Sequence, residues 1–202
     1  KSLSVGDGGI VCTNNIDFSK KIYKLRSFGD SELSYNYRMT EFAGALGKIG
    51  LDKLDDQNNI RIENAFLLSE LLKDNEFLSV RVCGESEYCV YYAVLIELKK
   101  DIPDLENRLE NLQDKGIPIR KTWSPLHKHS HFNPEVVMPS RGLPWRENSY
   151  NGLMKKVQYQ DLTLKNVSKY CPSRIFEMYV HPPVGVDLIK FSAHEINREF
   201  SV

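Results

Sequence analysis

The sequence predicts a mixed α/β protein that ends in a small α+β unit. Three observations predict it. The run Gly6-Asp7-Gly8-Gly9 feeds a short apolar stretch, Ile10-Val11-Cys12. Apolar residues then recur at helical spacing from Phe18 to Leu72. From Tyr88 the period falls to two, and strand, helix and strand patterns follow in turn.

Each element has a local reason. Residues 9–13 are apolar and read as a short strand, closed by the capping pair Asn14-Asn15. A helix over 16–27 sets Phe18, Ile22 and Leu25 on one face, and Gly29 is placed to stop it. Residues 30–39 form a polar and aromatic loop. Thr40 caps the next helix, whose stripe is Phe42, Ala45, Leu46 and Ile49. The small residues Ala43, Gly44 and Gly47 beside the stripe leave room for another helix. The helical pattern runs on to about Lys73 through Ile62, Ala65, Leu68 and Leu72, with an interruption expected around Gly50 or Asn58-Asn59. Val90, Tyr92, Val94, Ile96 and Leu98 alternate and predict a long strand over 88–98. Pro103 suits a first helical turn, Ile102, Leu105, Leu109 and Leu112 follow at helical spacing, and Lys115-Gly116 closes that helix. Residues 117–120 predict a short strand, 133–162 a long irregular loop, 163–173 a helix, 175–180 a strand and 187–200 a closing helix.

Composition bounds the function. In 202 residues, 41% are hydrophobic and 27% charged, the balance of a globular protein able to bury a core. Lysine plus arginine equals aspartate plus glutamate at 27 each, so bulk charge gives no attraction to nucleic acid or to a membrane surface. No apolar run approaches a membrane span, and the expected compartment is the cytoplasm. The four cysteines, Cys12, Cys83, Cys89 and Cys171, lack metal-site spacing and read as reduced thiols.

Three stretches carry chemistry. Lys1 stands ahead of the Gly-rich turn, where an amine of lowered pKa would be a nucleophile toward carbonyls; a surface lysine fits the same pattern. Asn36 and Arg38 bring an amide and a guanidinium together in one loop, donors suited to a phosphate dianion, and a structural ion pair of Arg38 fits equally. Arg120, Trp123 and His127 open a basic and aromatic stretch that continues to His129 and His131. The alternating histidines admit a metal reading, against which Lys128 and the lack of a nearby cysteine or carboxylate weigh, so no metal is expected.

Taken in order, Lys-x-Leu-Ser-x-Gly-Asp-Gly-Gly, Leu25-Arg26-x-x-Gly29, Tyr35-Asn36-Tyr37-Arg38-Met39-Thr40-Glu41 and Ala45-Leu46-Gly47 resemble the DegT/DnrJ/EryC1/StrS family of sugar aminotransferases. Gly116-Ile117-Pro118-Ile119-Arg120 and Ser124-Pro125-Leu126-His127 extend the resemblance. It implies the pyridoxal phosphate (PLP) fold of type I, resembling aspartate aminotransferase. Residues 1–57 would be the end of its PLP-binding large domain and 58–202 its small α+β C-terminal domain. The family's PLP lysine lies near mid-chain and corresponds to Lys1, so the sequence looks like the second half of such an enzyme. The resemblance further implies Lys1 as catalytic base and cofactor anchor. Asn36 and Arg38 would bind the PLP phosphate across a homodimer interface, with active sites shared between subunits. Arg120 and His127 would be substrate-side residues, suited with Trp123 to the diphosphate and base of a nucleotide sugar. Gly6, Gly8 and Gly9 would shape the backbone near the cofactor lysine, and Asp7 would orient the turn. The implied reaction moves an amino group from glutamate or glutamine to a keto group of a nucleotide-linked sugar. The alternative is a non-catalytic fragment serving dimerisation or small-molecule binding.

Overall fold

The computed structural model describes residues 2–28, 33–129, 162–171 and 173–201. The chain divides into two compact units, residues 1–59 and 60–202.

In the first unit the helices follow their caps. Helix α1, Ile16–Arg26, starts at Asn15, whose Oδ1 accepts from the backbone N–H of Asp17 and of Phe18, both at 3.0 Å. Helix α2, Glu41–Asp52, starts at Thr40, whose hydroxyl oxygen accepts from Ala43 N–H at 3.2 Å. Between them the loop folds back along the end of α1: Tyr35 N–H donates to Leu25 O and Tyr37 N–H to Arg26 O. Ser27 and Asn36 form an isolated antiparallel bridge there.

Three expectations for this unit are corrected. Residues 9–13 form no strand, because a strand needs a partner edge and none of the described residues supplies one; Ile10 and Val11 are 71% and 67% exposed. The α2 stripe does not turn inward. Phe42 is 85% exposed, and Ala43 on the small-residue side is the buried position. Those small residues receive the N-terminal segment and not a helix: a Cβ on Gly47 would lie 3.4 Å from Val5 Cγ1, and one on Gly50 would lie 2.6 Å from Leu3 Cδ1. The break in the long helix, expected around Gly50 or Asn58-Asn59, falls close to the first of these, at Lys53, between α2 and α3, Leu54–Leu72. Gly50 itself stays helical beneath Leu3, and Asn58 is buried within α3, where packing overrides the propensity signal.

The second unit is built on a four-stranded antiparallel sheet in the order β1-β2-β4-β3. Its strands are β1, Leu78–Arg81; β2, Val94–Leu98; β3, Ile119–Lys121; and β4, Ile175–Met178. Helices α4, Leu105–Asp114, and α6, Val186–Glu199, join the later turns of α3 in one core. Alternation sends Leu78, Val94, Ile96, Leu98, Ile119, Phe176 and Met178 into that core against Leu68, Leu72, Leu109, Leu112, Ile189 and Ile196. Phe176 stacks on Phe200 with ring centroids 5.4 Å apart. Asn64, almost fully buried on α3, donates to both Val180 O and Val184 O at 2.9 Å. Helix α5, Lys165–Tyr170, is six residues long, shorter than the 163–173 expected.

The strand expected over 88–98 is formed only from Val94. Tyr91 sits at φ +43°, outside extended geometry, and its ring rather than that of Tyr92 is buried, with the hydroxyl accepting from Cys83 N–H at 2.7 Å. Strand β1, which no sequence pattern singled out, follows a turn capped by Asn75, whose Oδ1 accepts from Phe77 N–H and Leu78 N–H. Helix α4 begins two residues after Pro103 because Asp104 lies at φ +59°. Gly116, at φ +81°, ends its closing turn, and β3 starts at Ile119 rather than Ile117. The irregular stretch expected over 133–162 falls outside the described residues but for its last position. None of the four cysteines is bonded to another; Cys12 and Cys89 are exposed, Cys83 and Cys171 half-buried.

Candidate functional site

The sequence-predicted residues fall into two places, one in each unit. Lys1 lies outside the described residues. The segment after it is fixed by glycines: Leu3 and Val5 lie against Gly50 and Gly47 of α2, and the chain then turns at Gly6, φ +82°, and Gly8, φ +148°. Both conformations belong to glycine. A Cβ on Gly8 would also meet Met39 Sδ at 2.8 Å. Gly9 carries no such constraint, with open space where a Cβ would be, so the expected backbone role holds for two of the three glycines. Asp7 makes no hydrogen bond among the described residues, contrary to the turn-orienting role expected of it.

The turn and the Asn36–Arg38 loop meet in one pocket of about 530 Å³, lined among others by Asp7, Gly8, Gly9, Arg38, Met39 and Thr40. Within the loop Arg38 Nε donates to Asn36 Oδ1 at 3.2 Å, and the guanidinium lies 5.2 Å from the Phe28 ring centre. Tyr35 and Tyr37 stack face to face at 4.8 Å. Asn36 and Arg38 are both exposed. With Nε bonded to the amide oxygen, the Asn36 NH₂ and the two Nη groups of Arg38 remain as donors. These donors suit a phosphate dianion, and no carboxylate is hydrogen-bonded to Arg38 among the described residues.

The second place lies on the sheet face turned away from the core. Arg120 on β3 is the register partner of Glu177 on β4, and Arg120 Nε donates to Glu177 Oε1. Glu177 is only 6% exposed. The hydrogen bond to Glu177 raises the Arg120 pKa further above the arginine range, so the guanidinium stays charged. Its carbon lies 5.0 Å from the Tyr179 ring centre and 5.4 Å from that of Trp123. Tyr92 meets Tyr179 edge-on at 5.7 Å, and Tyr179 meets His181 at 5.5 Å. Burial first, and the Tyr92 hydroxyl second, raise the Tyr179 pKa, which keeps the phenol neutral.

Three buried polar atoms on this stretch have no hydrogen-bond partner among the described residues: Arg120 Nη2, Thr122 Oγ1 and His127 Nε2. Such atoms are rare in native proteins and mark places where a ligand or water completes the set. His127 sits in a short 3₁₀ turn, Leu126–Lys128, and no hydrogen bond joins it to Arg120. Sequence reading missed Glu177, Tyr92 and Tyr179. The one available signal was a lone carboxylate inside the apolar run Ile175-Phe176-Glu177-Met178, and only the strand register shows that it faces Arg120. No cluster of three metal-ligating side chains occurs among the described residues, and His131 lies outside them.

Comparison with known proteins decides the lineage. Residues 1–173 match the DegT/DnrJ/EryC1/StrS aminotransferase family. The chain belongs to that family. The DegT/DnrJ/EryC1/StrS enzymes depend on PLP. A UDP-4-amino-4,6-dideoxy-N-acetyl-beta-L-altrosamine transaminase of Campylobacter jejuni is 26% identical over 189 residues, covering 88% of this chain and 50% of the relative. GDP-perosamine synthase of Escherichia coli O157:H7 is 28% identical over 137 residues, covering 63% of this chain and 36% of that protein. Among solved structures, the aminotransferase TlmJ from Streptoalloteichus hindustanus superposes with a TM-score of 0.73 at 16% identity, over all of this chain and 50% of its own. Helicobacter pylori PseC superposes with a TM-score of 0.68 at 18% identity, over 94% of this chain and 47% of its own. These superpositions place the chain in the fold shared by DegT/DnrJ/EryC1/StrS aminotransferases. The chain spans about half the length of the Campylobacter relative and of both solved structures.

Proposed function

We propose that this chain is the C-terminal part of a PLP-dependent aminotransferase that moves an amino group from glutamate or glutamine to a keto group of a nucleotide-linked sugar. In this reading residues 1–57 end the PLP-binding large domain of an aspartate aminotransferase-like fold, residues 58–202 form its small α+β domain, and the enzyme is a cytoplasmic homodimer. Among the described residues no helix is long and apolar enough to cross a membrane. The observation that carries the reading is the pocket shared by the Gly8-Gly9 turn and Arg38, with the hydrogen-bonded Asn36–Arg38 pair and its remaining donors beside it.

Roles follow from the chemistry of each group. Asn36 and Arg38 hold the cofactor phosphate, reaching across the dimer interface, which fits side chains that are exposed in the single chain. The glycine turn shapes the backbone that lines this pocket. The Lys1 amine would hold the cofactor through its aldehyde and, once freed, would carry the proton lost from the donor's α-carbon. When bound, PLP supplies the electron sink that makes that proton acidic. One group must serve as both nucleophile and proton carrier, which an arginine cannot do at neutral pH. Arg120 and His127 lie on the substrate side, where their orphaned N–H and ring nitrogen await partners.

A second reading, a non-catalytic dimerisation or small-molecule-binding module, draws on the exposed apolar side chains of the first unit, Phe42 and Leu33 above all, at 85% and 83%. One experiment separates the two. The protein as isolated from its source is reduced with borohydride, digested and sequenced by mass spectrometry. A pyridoxyl adduct on the lysine preceding Ser2 supports the enzyme. An unmodified Lys1 in a protein that still self-associates overturns it in favour of the module.

A further inference from the structure

We propose that Glu177 is a positioning residue for Arg120. By holding Nε and cancelling the arginine's charge, it makes the guanidinium fork a reader of an uncharged carbonyl group and not of a phosphate. The inference rests on Arg120 being a substrate-side residue, and it narrows what that residue recognises: the base or an amide substituent of the sugar nucleotide, in preference to the diphosphate.

The geometry is specific. Glu177 stands opposite Arg120 in the β3–β4 register, so backbone pairing fixes the distance between their Cα atoms before any side chain is placed. Its carboxylate is nearly inaccessible, and its neighbour on the other side, Leu95 of β2, carries no charge. The carboxylate binds Nε, the inner nitrogen of the fork. Nη2 shares that edge of the planar guanidinium with Nε, and it is buried with no hydrogen-bond partner among the described residues. Tyr179 and Trp123 each lie about a ring-stacking distance from the guanidinium, which restricts its rotation. The result is a donor held rigid in advance, beside two aromatic faces.

Charge then selects the ligand. A guanidinium alone favours phosphate by bidentate pairing. Here a buried carboxylate sits against it, so the pair is neutral as a unit, and a phosphate brought to Nη2 would approach Glu177 as well. The other groups around the fork, Tyr179, Tyr92 and Trp123, are uncharged. An uncharged acceptor loses nothing to the carboxylate and gains a charge-assisted donor. A planar one also gains the rings. Nucleobase carbonyls and the amide of an N-acetyl group share this chemistry.

Titration of the intact protein with uridine, N-acetylglucosamine and inorganic pyrophosphate tests the proposal. Binding is followed at the Trp123 indole N–H resonance, which reports on this cluster and not on the Asn36–Arg38 loop. Glu177→Gln keeps the shape and removes the charge. We expect the ratio of neutral-probe to pyrophosphate affinity to shift toward pyrophosphate by about tenfold, the size of one charge-assisted contact. Which neutral probe responds, uridine or N-acetylglucosamine, identifies the base or the amide as the group read. An unchanged ratio overturns the proposal, whether both affinities hold or fall together, and leaves Arg120 a substrate-side residue. If Arg120→Ala alters no probe's binding, the substrate-side reading itself fails. Should Glu177→Gln not fold, Arg120→Lys carries the test. It keeps the charge and loses the fork, so neutral probes should bind weakly while pyrophosphate is retained; the opposite order overturns the proposal.

Discussion

Gly8→Ala tests whether the Gly-rich turn is held by backbone necessity. Gly8 lies at φ +148°, where an L-residue is strained whatever the space around it. Strain of this kind costs about 1–3 kcal/mol. A Cβ would add a contact of 2.8 Å to Met39 Sδ and 3.4 Å to Met39 Cγ, and the flexible thioether can yield only part of that overlap. Hydrogen exchange of the amides over 6–10 and 37–40 should therefore speed up by about 5- to 150-fold, the factor that 1–3 kcal/mol of local opening corresponds to. Two partners separate the causes. Gly9→Ala, with open space at its Cβ and no positive φ, should change exchange by no more than about 0.5 kcal/mol. Gly8→Ala with Met39→Ala should recover the steric part and keep the strain. Equal exchange in the Gly8 and Gly9 variants would refute the reasoning, because the turn would then not depend on the conformation that only glycine adopts freely.

Asn64→Leu should cost about 2–3 kcal/mol in urea unfolding, since the carbonyls of Val180 and Val184 both lose their donor inside the second unit. Asn15→Ala removes one oxygen that accepts from two backbone N–H groups, and faster exchange at Asp17 and Phe18 should show α1 weakened by about 1 kcal/mol. Burial, and secondarily the charge of Arg61, holds the His181 pKa below the ordinary histidine value. The folded state therefore resists protonation more than the unfolded one. Its contribution is complete above about pH 6.5, the unfolded value, and is lost as pH falls toward the lower folded value. Stability measured from pH 7.5 to 5 should decline, and His181→Gln should flatten that slope.

Much of the second unit was legible because its signals are local. The spacing of Leu105, Leu109 and Leu112, and of Ala65, Leu68 and Leu72, names core residues directly, since a helix that packs on a sheet must present one stripe to it. Strand ends were less legible. Alternation from Val90 to Leu98 continues straight through Tyr91, and only the positive φ and buried ring of Tyr91 show that the extended run starts later. In the first unit the apolar pattern misled: Phe42, Leu46 and Ile49 repeat at helical spacing yet remain exposed, while Ala43 is covered. Periodicity reports that a face is apolar, and nothing in it says which element will cover that face.

The candidate sites divide on the same principle. Asn36 and Arg38 are two residues apart, close enough for a direct hydrogen bond, so their joint use could be read from the loop alone. Arg120 could be singled out by residue type, but its partner lies 57 positions away, and no pattern within either strand links them. That pairing appears only when β4 is inserted between β2 and β3, giving the order β1-β2-β4-β3. The order changes the chemistry as well as the geometry. An arginine read in isolation is a phosphate binder, whereas an arginine set against a buried carboxylate is a fixed, charge-compensated donor. The substrate group that Arg120 reads is thus a consequence of sheet topology, and changing Glu177 alone should alter that selectivity while the core-facing side chains of β4, Phe176 and Met178, keep their places.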